Sequence, residues 1–212
     1  MLDYNRKKHY ICSNMKENDD IFHLTDKQPE PKRGALLIAK PTVDDTCFSR
    51  SVIVAVNHSE RGSMGLIVNK PSGLTLNDAI DGLLTDEELP LYLGGPVNTE
   101  LLFYIHSLGD VITDAKPIGN GLYVGGSYDA MKAYINNGAP VNGNVKFMLG
   151  YSGWTAGQLN AEIGLNDWAV NLDVDSRIVL SNHTGDMWQQ MVARMGERYK
   201  MWQNWPSDLS MN

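Results

Sequence analysis

From residue 34 onward, short apolar runs rich in β-branched residues punctuate the chain, and their spacing predicts a strand-dominated first half. Residues 35–39, 52–56 and 64–68 are nearly continuous apolar runs, the pattern of strands covered on both faces. The polar stretch 57–63 between the last two carries turn residues and predicts a hairpin with a loop of several residues. Pro71 should end that strand, and Thr75 with Asp78 three positions on has a capping-box pattern for a short helix over Leu76, Ala79, Ile80 and Leu83. Further strands are expected at residues 91–93, 101–106, 122–124, 145–149, 167–170 and 178–180. Ser127 should cap a helix with Ala130, Met131 and Tyr134 on one face that stops near Asn137-Gly138. A second helix should open directly after the run 145–149. A last one should run from about Asp186 to Tyr199, with Met187, Trp188, Met191, Val192 and Met195 at helical spacing. Strands dominate the first half and strand-helix pairs the second, without internal repeats. That mixture predicts an α+β or mixed α/β architecture around a common sheet.

Composition adds boundaries and exclusions. Residues 1–32 are polar and charged with no sustained apolar period, and read as an N-terminal extension to a single domain over residues 33–212, which ends in a helix and a tail carrying Trp202 and Trp205. Those tryptophans either pack back onto the body or supply a contact for oligomerisation. With 212 residues and 42% hydrophobic content the chain can bury a real core as one compact domain. A net charge of −7 opposes broad binding to phosphate backbones. Arg6-Lys7-Lys8-His9, between Tyr4 and Tyr10, is the one basic segment interleaved with aromatics, and no helix-turn-helix, zinc-finger or RNP pattern accompanies it, so there is no strong nucleic-acid signal. Cys12 and Cys47 are too few for a disulfide framework and lack zinc-site spacing, as expected of free thiols in a reducing compartment. Neither a signal peptide nor a run approaching the ~20 apolar residues of a bilayer span is visible. The expectation is a soluble cytoplasmic protein with no membrane partner.

The candidate chemistry centres on residues 150–163, Gly-Tyr-Ser-Gly-Trp-Thr-Ala-Gly-Gln-Leu-Asn-Ala-Glu-Ile. Its start approaches the G-x-S-x-G nucleophile elbow, with Trp154 in place of the second glycine, and Asp173 or Asp175 followed by His183 matches the chain order of that hydrolase class. Ser152 is then either a nucleophile on a strained strand-to-helix turn or part of a packed turn. Gly125-Gly126-Ser127 and Gly153-Trp154-Thr155 each resemble a helix N-terminus able to hold an anion. No two of the five histidines stand at i, i+4, and acidic pairs such as Asp44-Asp45 and Glu87-Glu88 are adjacent rather than facing. No metal, no cofactor and no catalytic residue are expected.

Four motifs occur in order: Phe48-Ser49-Arg50-Ser51-Val52, residues 62–71 (Gly-Ser-Met-Gly-Leu-Ile-Val-Asn-Lys-Pro), Gly94-Gly95-Pro96-Val97 and residues 150–163. Together, with Trp188 and Gly196 near the end, they resemble the AlgH/YqgE family of bacterial proteins over about residues 34–196. The resemblance implies an α+β fold: a mixed, bifurcated β-sheet that includes a small closed barrel, surrounded by helices. It brings no established catalytic residues and no cofactor, and one member is described as a candidate transcriptional regulator. The leading expectation is a non-enzymatic protein that binds an unknown protein partner or a small anionic ligand and has a regulatory role; a serine hydrolase using Ser152 and His183, and a transcriptional regulator, are the alternatives. The ligand site is expected where Arg50, Asn69 and Lys70, Gly94 and Gly95, and Ser152, Gly153 and Trp154 converge. Arg50 and Lys70 would supply charge and Asn69 orienting hydrogen bonds. Separation of these segments by more than ~15 Å would exclude one shared pocket.

Overall fold

The computed structural model describes residues 27–43 and 45–206. Most of the charged extension, including Cys12 and the basic segment at residues 6–9, lies outside the described residues, as does Asp44.

Strand β1 (Leu36–Ala39) lies between two neighbours and is buried throughout, which is why its run is continuously apolar. Strands β2 (Val52–Ser59) and β3 (Gly62–Ile67) form the expected hairpin, but the turn is only Glu60 and Arg61. Asn57, His58 and Ser59 continue as strand beyond a bulge at Ala55–Asn57, because the ribbon there leaves the core and polar side chains suit it. Past Pro71 the sequence expectation fails: β4 (Pro71–Thr75) is a strand, with the proline at its first position, where a missing N–H costs least. Asp78 Oδ2 accepts from the Thr75 N–H and hydroxyl, both at 2.8 Å, yet helix α1 (Leu76–Ala79) lasts one turn because Ile80 is extended at φ −131°.

Next come β5 (Pro90–Leu93), β6 (Val97–His106), β7 (Lys116–Gly119) and β8 (Leu122–Val124). Helix α2 (Tyr128–Asn136) begins as expected, Ser127 Oγ accepting from the Ala130 N–H at 3.2 Å. Strand β9 (Val145–Thr155) runs straight through the expected strand-to-helix turn, and α3 (Gln158–Gly164) starts only at Gln158. After β10 (Trp168–Asn171), the apolar triplet expected as a strand is instead α4 (Ser176–Leu180), started by Asp175, whose carboxylate accepts from the Arg177 N–H. The last expected helix is interrupted: α5 (Met187–Arg194) stops before Gly196 at φ +90°, and a 3₁₀ turn (Glu197–Tyr199) leads into α6 (Lys200–Gln203).

The strands join in the order β10-β1-β2-β3-β9-β6-β8-β7, with β4 and β5 as a branch that enters through a parallel pairing of β5 with β9. Strand β9 is the branch point. Its first half pairs with β5 on one side and β6 on the other, and its second half pairs with β3. The sheet is therefore bifurcated but not closed: among the described residues no ladder joins β7 back to β1 or β2. The closed barrel implied by the resemblance is not formed by strand pairing. The Arg33–Pro117 and Asn120–Gly34 side-chain contacts bring β7 near the start of β1 without completing it.

Alternation along the central strands sends Leu36, Ile38 and Val54 to one face, against Trp188, Met191, Tyr199 and Trp202, and Leu37 and Ile53 to the other, against Leu159, Ile163 and Trp168. A third cluster packs Met131 and Ile135 of α2 on Tyr104 and Phe147. The architecture is α+β, a large mostly antiparallel sheet with helices on both faces. None of the described helices is long and apolar enough to cross a membrane.

Candidate functional site

The three segments expected to converge do so, as a packed backbone seam. The Leu93 N–H donates to the Lys70 carbonyl at 2.8 Å, and the Gly94 N–H to the Leu149 carbonyl at 2.7 Å. The Gly94 carbonyl accepts from the Ile67 N–H at 2.9 Å and from the Ser152 hydroxyl at 3.2 Å. A Cβ on Gly94 would fall 2.3 Å from the Gly150 oxygen, and one on Gly95 2.2 Å from the Tyr151 carbonyl carbon. These glycines let the chain leave β5 and cross β9 where the sheet divides, and Gly150 at φ +68° makes the matching kink. No space for a ligand remains at that crossing.

Ser152 is wholly buried in mid-strand opposite Gly65. Its hydroxyl serves the seam rather than a histidine. His183 is exposed in the segment after α4, its N–H bonded to Ser181 Oγ. The hydrolase pair is therefore not assembled: an elbow needs a turn that presents the hydroxyl above the sheet, and here the sheet continues. For the same reason Gly153-Trp154-Thr155 is strand and offers no helix N-terminus.

Trp154 and Glu162 have a different task. Glu162 Oε2 accepts from the indole N–H groups of Trp154 at 2.7 Å and Trp168 at 2.9 Å, while Oε1 accepts from Gln158 Nε2 at 2.7 Å. One carboxylate thus ties α3 to β9 and β10, and the edge-on packing of the two indoles, 5.8 Å apart, completes the joint.

Arg50 and Lys70 stand at the mouth of the seam. Arg50 occupies the left-handed region at φ +51°, a conformation a non-glycine residue holds only where its surroundings impose it. Asn69 imposes it: Oδ1 accepts from the Val52 N–H at 2.8 Å and Nδ2 donates to the Arg50 carbonyl at 2.9 Å. Asn69 is buried and bonded to backbone, so it shapes the turn rather than facing a ligand. The Arg50 guanidinium lies 4.5 Å over the Trp188 ring and donates to the Trp205 carbonyl at 2.6 Å, so the tail packs back onto the body. Burial lowers the pKa of the Lys70 amine, the neighbouring Arg50 charge adds to this, and Cys47 opposes it. Burial raises the Cys47 thiol, with Asp45 adding and Lys70 opposing. Among the described residues no carboxylate forms an ion pair with Arg50 or Lys70.

Lys146 is the group that the sequence reading passed over. It is 1% exposed in β9, donates to the carbonyls of Val68 at 2.8 Å and Ser181 at 2.6 Å, and lies 4.3 Å over the Tyr92 ring. Burial pushes its pKa down to about 7. The available signal was its strand parity with Met148 in an apolar run covered on both faces.

Comparison with known proteins accords with this architecture. The AlgH-like family profile matches residues 36–200. A UPF0301 protein of Bacteroides fragilis is 42% identical over 198 residues, covering 93% of this chain and 100% of the relative. One from Parabacteroides distasonis is 44% identical over 194 residues, covering 91% and 98%. The solution structure of AlgH from Pseudomonas aeruginosa superposes with a TM-score of 0.64 at 30% identity, covering 86% of this chain and all of that one. A crystal structure from Corynebacterium diphtheriae shares the fold, with a TM-score of 0.65 at 22% identity and the same coverage. By profile match and by identity over nearly its whole length, the chain belongs to the AlgH-like family.

Proposed function

We propose that this is a non-enzymatic, cytoplasmic binding protein with a regulatory role, and that it receives an anionic group of a small ligand or protein partner at Arg50 and Lys70. The observation that carries this reading is the pairing of two half-buried cations that repel one another and have no carboxylate ion pair among the described residues. Two such charges held together cost free energy that an arriving anion would recover. The forced left-handed turn at Arg50 supports the same reading, since backbone strain of this kind collects at ligand clamps and is maintained here by Asn69. Ser152, Gly94 and Gly95 support the site from behind as the seam and do not touch the ligand.

Titration of the isotope-labelled protein with inorganic phosphate, followed by amide resonances, tests the assignment. Shifts should concentrate at residues 47–51 and at Asn69 and Lys70, and disappear in the Arg50→Gln, Lys70→Gln double variant. Shifts scattered over the surface, or unchanged in that variant, would remove the site.

A further inference from the structure

Lys146 Nζ bridges two segments that no strand pairing joins, Val68 just beyond β3 and Ser181 just beyond α4. Tyr92 braces the same place: its ring lies under the amine, and its hydroxyl is 3.3 Å from Asn182 Oδ1. Ser181 faces both ways. Its carbonyl holds the buried amine, and the residue also lines a shallow surface cleft with Asp175, Arg177, Ile178, His183 and Gln190. The stretch that holds the buried lysine through the Ser181 carbonyl thus also borders the cleft, at Ser181 and His183.

Among the described residues no charged group compensates the amine. Tyr92 faces it from β5; Asp175 and Arg177 of α4 pair with each other at 2.9 Å; His183 is exposed. On β6, His106 Nε2 is engaged with the Gly125 carbonyl, and beyond β3 Lys70 interacts with Cys47 and Arg50. Burial is the sole cause of the depressed Lys146 pKa. The two carbonyls and the ring face give an ammonium three acceptors, yet they only partly offset the loss of water.

We propose that residues 181–184 are a proton-linked cover over Lys146: protonation of the amine drives the cover open, and deprotonation seats it. Once lifted, the cover would leave a hydrated ammonium in the cleft beside Arg177, so that acidification both opens the cleft and makes it more cationic. The sign follows from linkage. An uncovered lysine titrates near its ordinary value of 10.5 and the covered one at about 7, so between these limits the open form binds the extra proton. Each unit of acidification in that window shifts the balance toward opening by up to ~tenfold, and below pH 7 the effect levels off.

Amide hydrogen exchange of the full chain between pH 6 and 9, corrected for intrinsic exchange chemistry, tests this at Ser181 and Met187, whose N–H groups bond to Ile178 and Thr184. Protection there should fall up to ~tenfold per pH unit from pH 9 to pH 7 and then flatten, and the slope should vanish in Lys146→Met. A flat wild-type profile, the same slope in the variant, or exchange only in step with β1 amides would overturn the proposal. Should that variant not fold, the ¹³Cε resonance of Lys146 in the wild type decides: titration near pH 7 is expected, and titration only above pH 10 overturns it.

Discussion

Two motif glycines, Gly94 and Gly153, have opposite structural weight. Gly94 has no room for a methyl group, since the atom it would strike is a backbone oxygen that cannot swing aside without moving β9. Gly153 is exposed, its backbone is extended, and its nearest neighbour is the edge of the Tyr151 ring at 3.3 Å. Gly94→Ala should therefore destabilise the protein by about 2–3 kcal/mol in urea unfolding, whereas Gly153→Ala should change stability by less than ~1 kcal/mol. Equal effects at the two positions would show that the seam is not as tightly closed as the backbone distances require. Because the close approach lies behind Arg50 and Lys70, a folded Gly94 variant should also bind phosphate less well.

The joint between α3 and the sheet depends on one acceptor shared by two indoles. In Glu162→Gln the side chain retains its length but can present only one oxygen, so either an indole N–H or the Gln158 amide loses its acceptor. The expected cost is about 1–2 kcal/mol, measured by denaturation, together with a change in tryptophan emission because both indoles border the lost charge. Much of this level was legible in the sequence. The apolar runs located β1, β2, β3 and β5, the Ser127 cap located α2, and helical spacing put Met187, Trp188, Met191 and Val192 on the buried face of α5. Other signals were local and weak. The two-residue turn Asn120-Gly121, with φ +54° and +72°, announces the β7–β8 hairpin, and its strong signature was present but unread. The triplet Ile178-Val179-Leu180 is too short for periodicity to distinguish strand from helix, so Asp175 decided it. The continuation of β9 through Ser152 depends on β3 lying alongside, a tertiary pairing that no window of sequence contains. Arg50 and Lys70 could be nominated from the motifs, but the inward roles of Asn69 and Ser152 required knowing where the seam lies.

At the scale of the whole molecule, burial lowers the pKa of two bases, Lys146 and His106, and their titration ranges do not coincide. His106 is wholly buried; its Nδ1 accepts from the Leu108 N–H at 3.1 Å, so the ring is neutral with its proton on Nε2, facing the Gly125 carbonyl at 2.9 Å. Burial lowers its pKa, the bond to Gly125 opposing, and a second proton would also displace the Leu108 donor. Lys146 is depressed to about 7 by burial alone. For each base the unfolded chain binds the proton more readily, so unfolding takes up protons and stability rises with pH. The Lys146 contribution to that rise falls between about 7 and the unfolded value of 10.5, and the His106 contribution falls below 6.5. The lysine alone corresponds to a penalty on the order of a few kcal/mol, fully present below pH 7. Urea unfolding at intervals from pH 5 to pH 10 should therefore show stability climbing in two limbs. In Lys146→Met the upper limb should disappear while the acid limb remains, although the absolute stability of the variant also reflects two carbonyls, of Val68 and Ser181, left without their donor. An unchanged upper limb in a folded variant would mean that Lys146 is hydrated in the native protein, and the climb above pH 7 would then belong to another group.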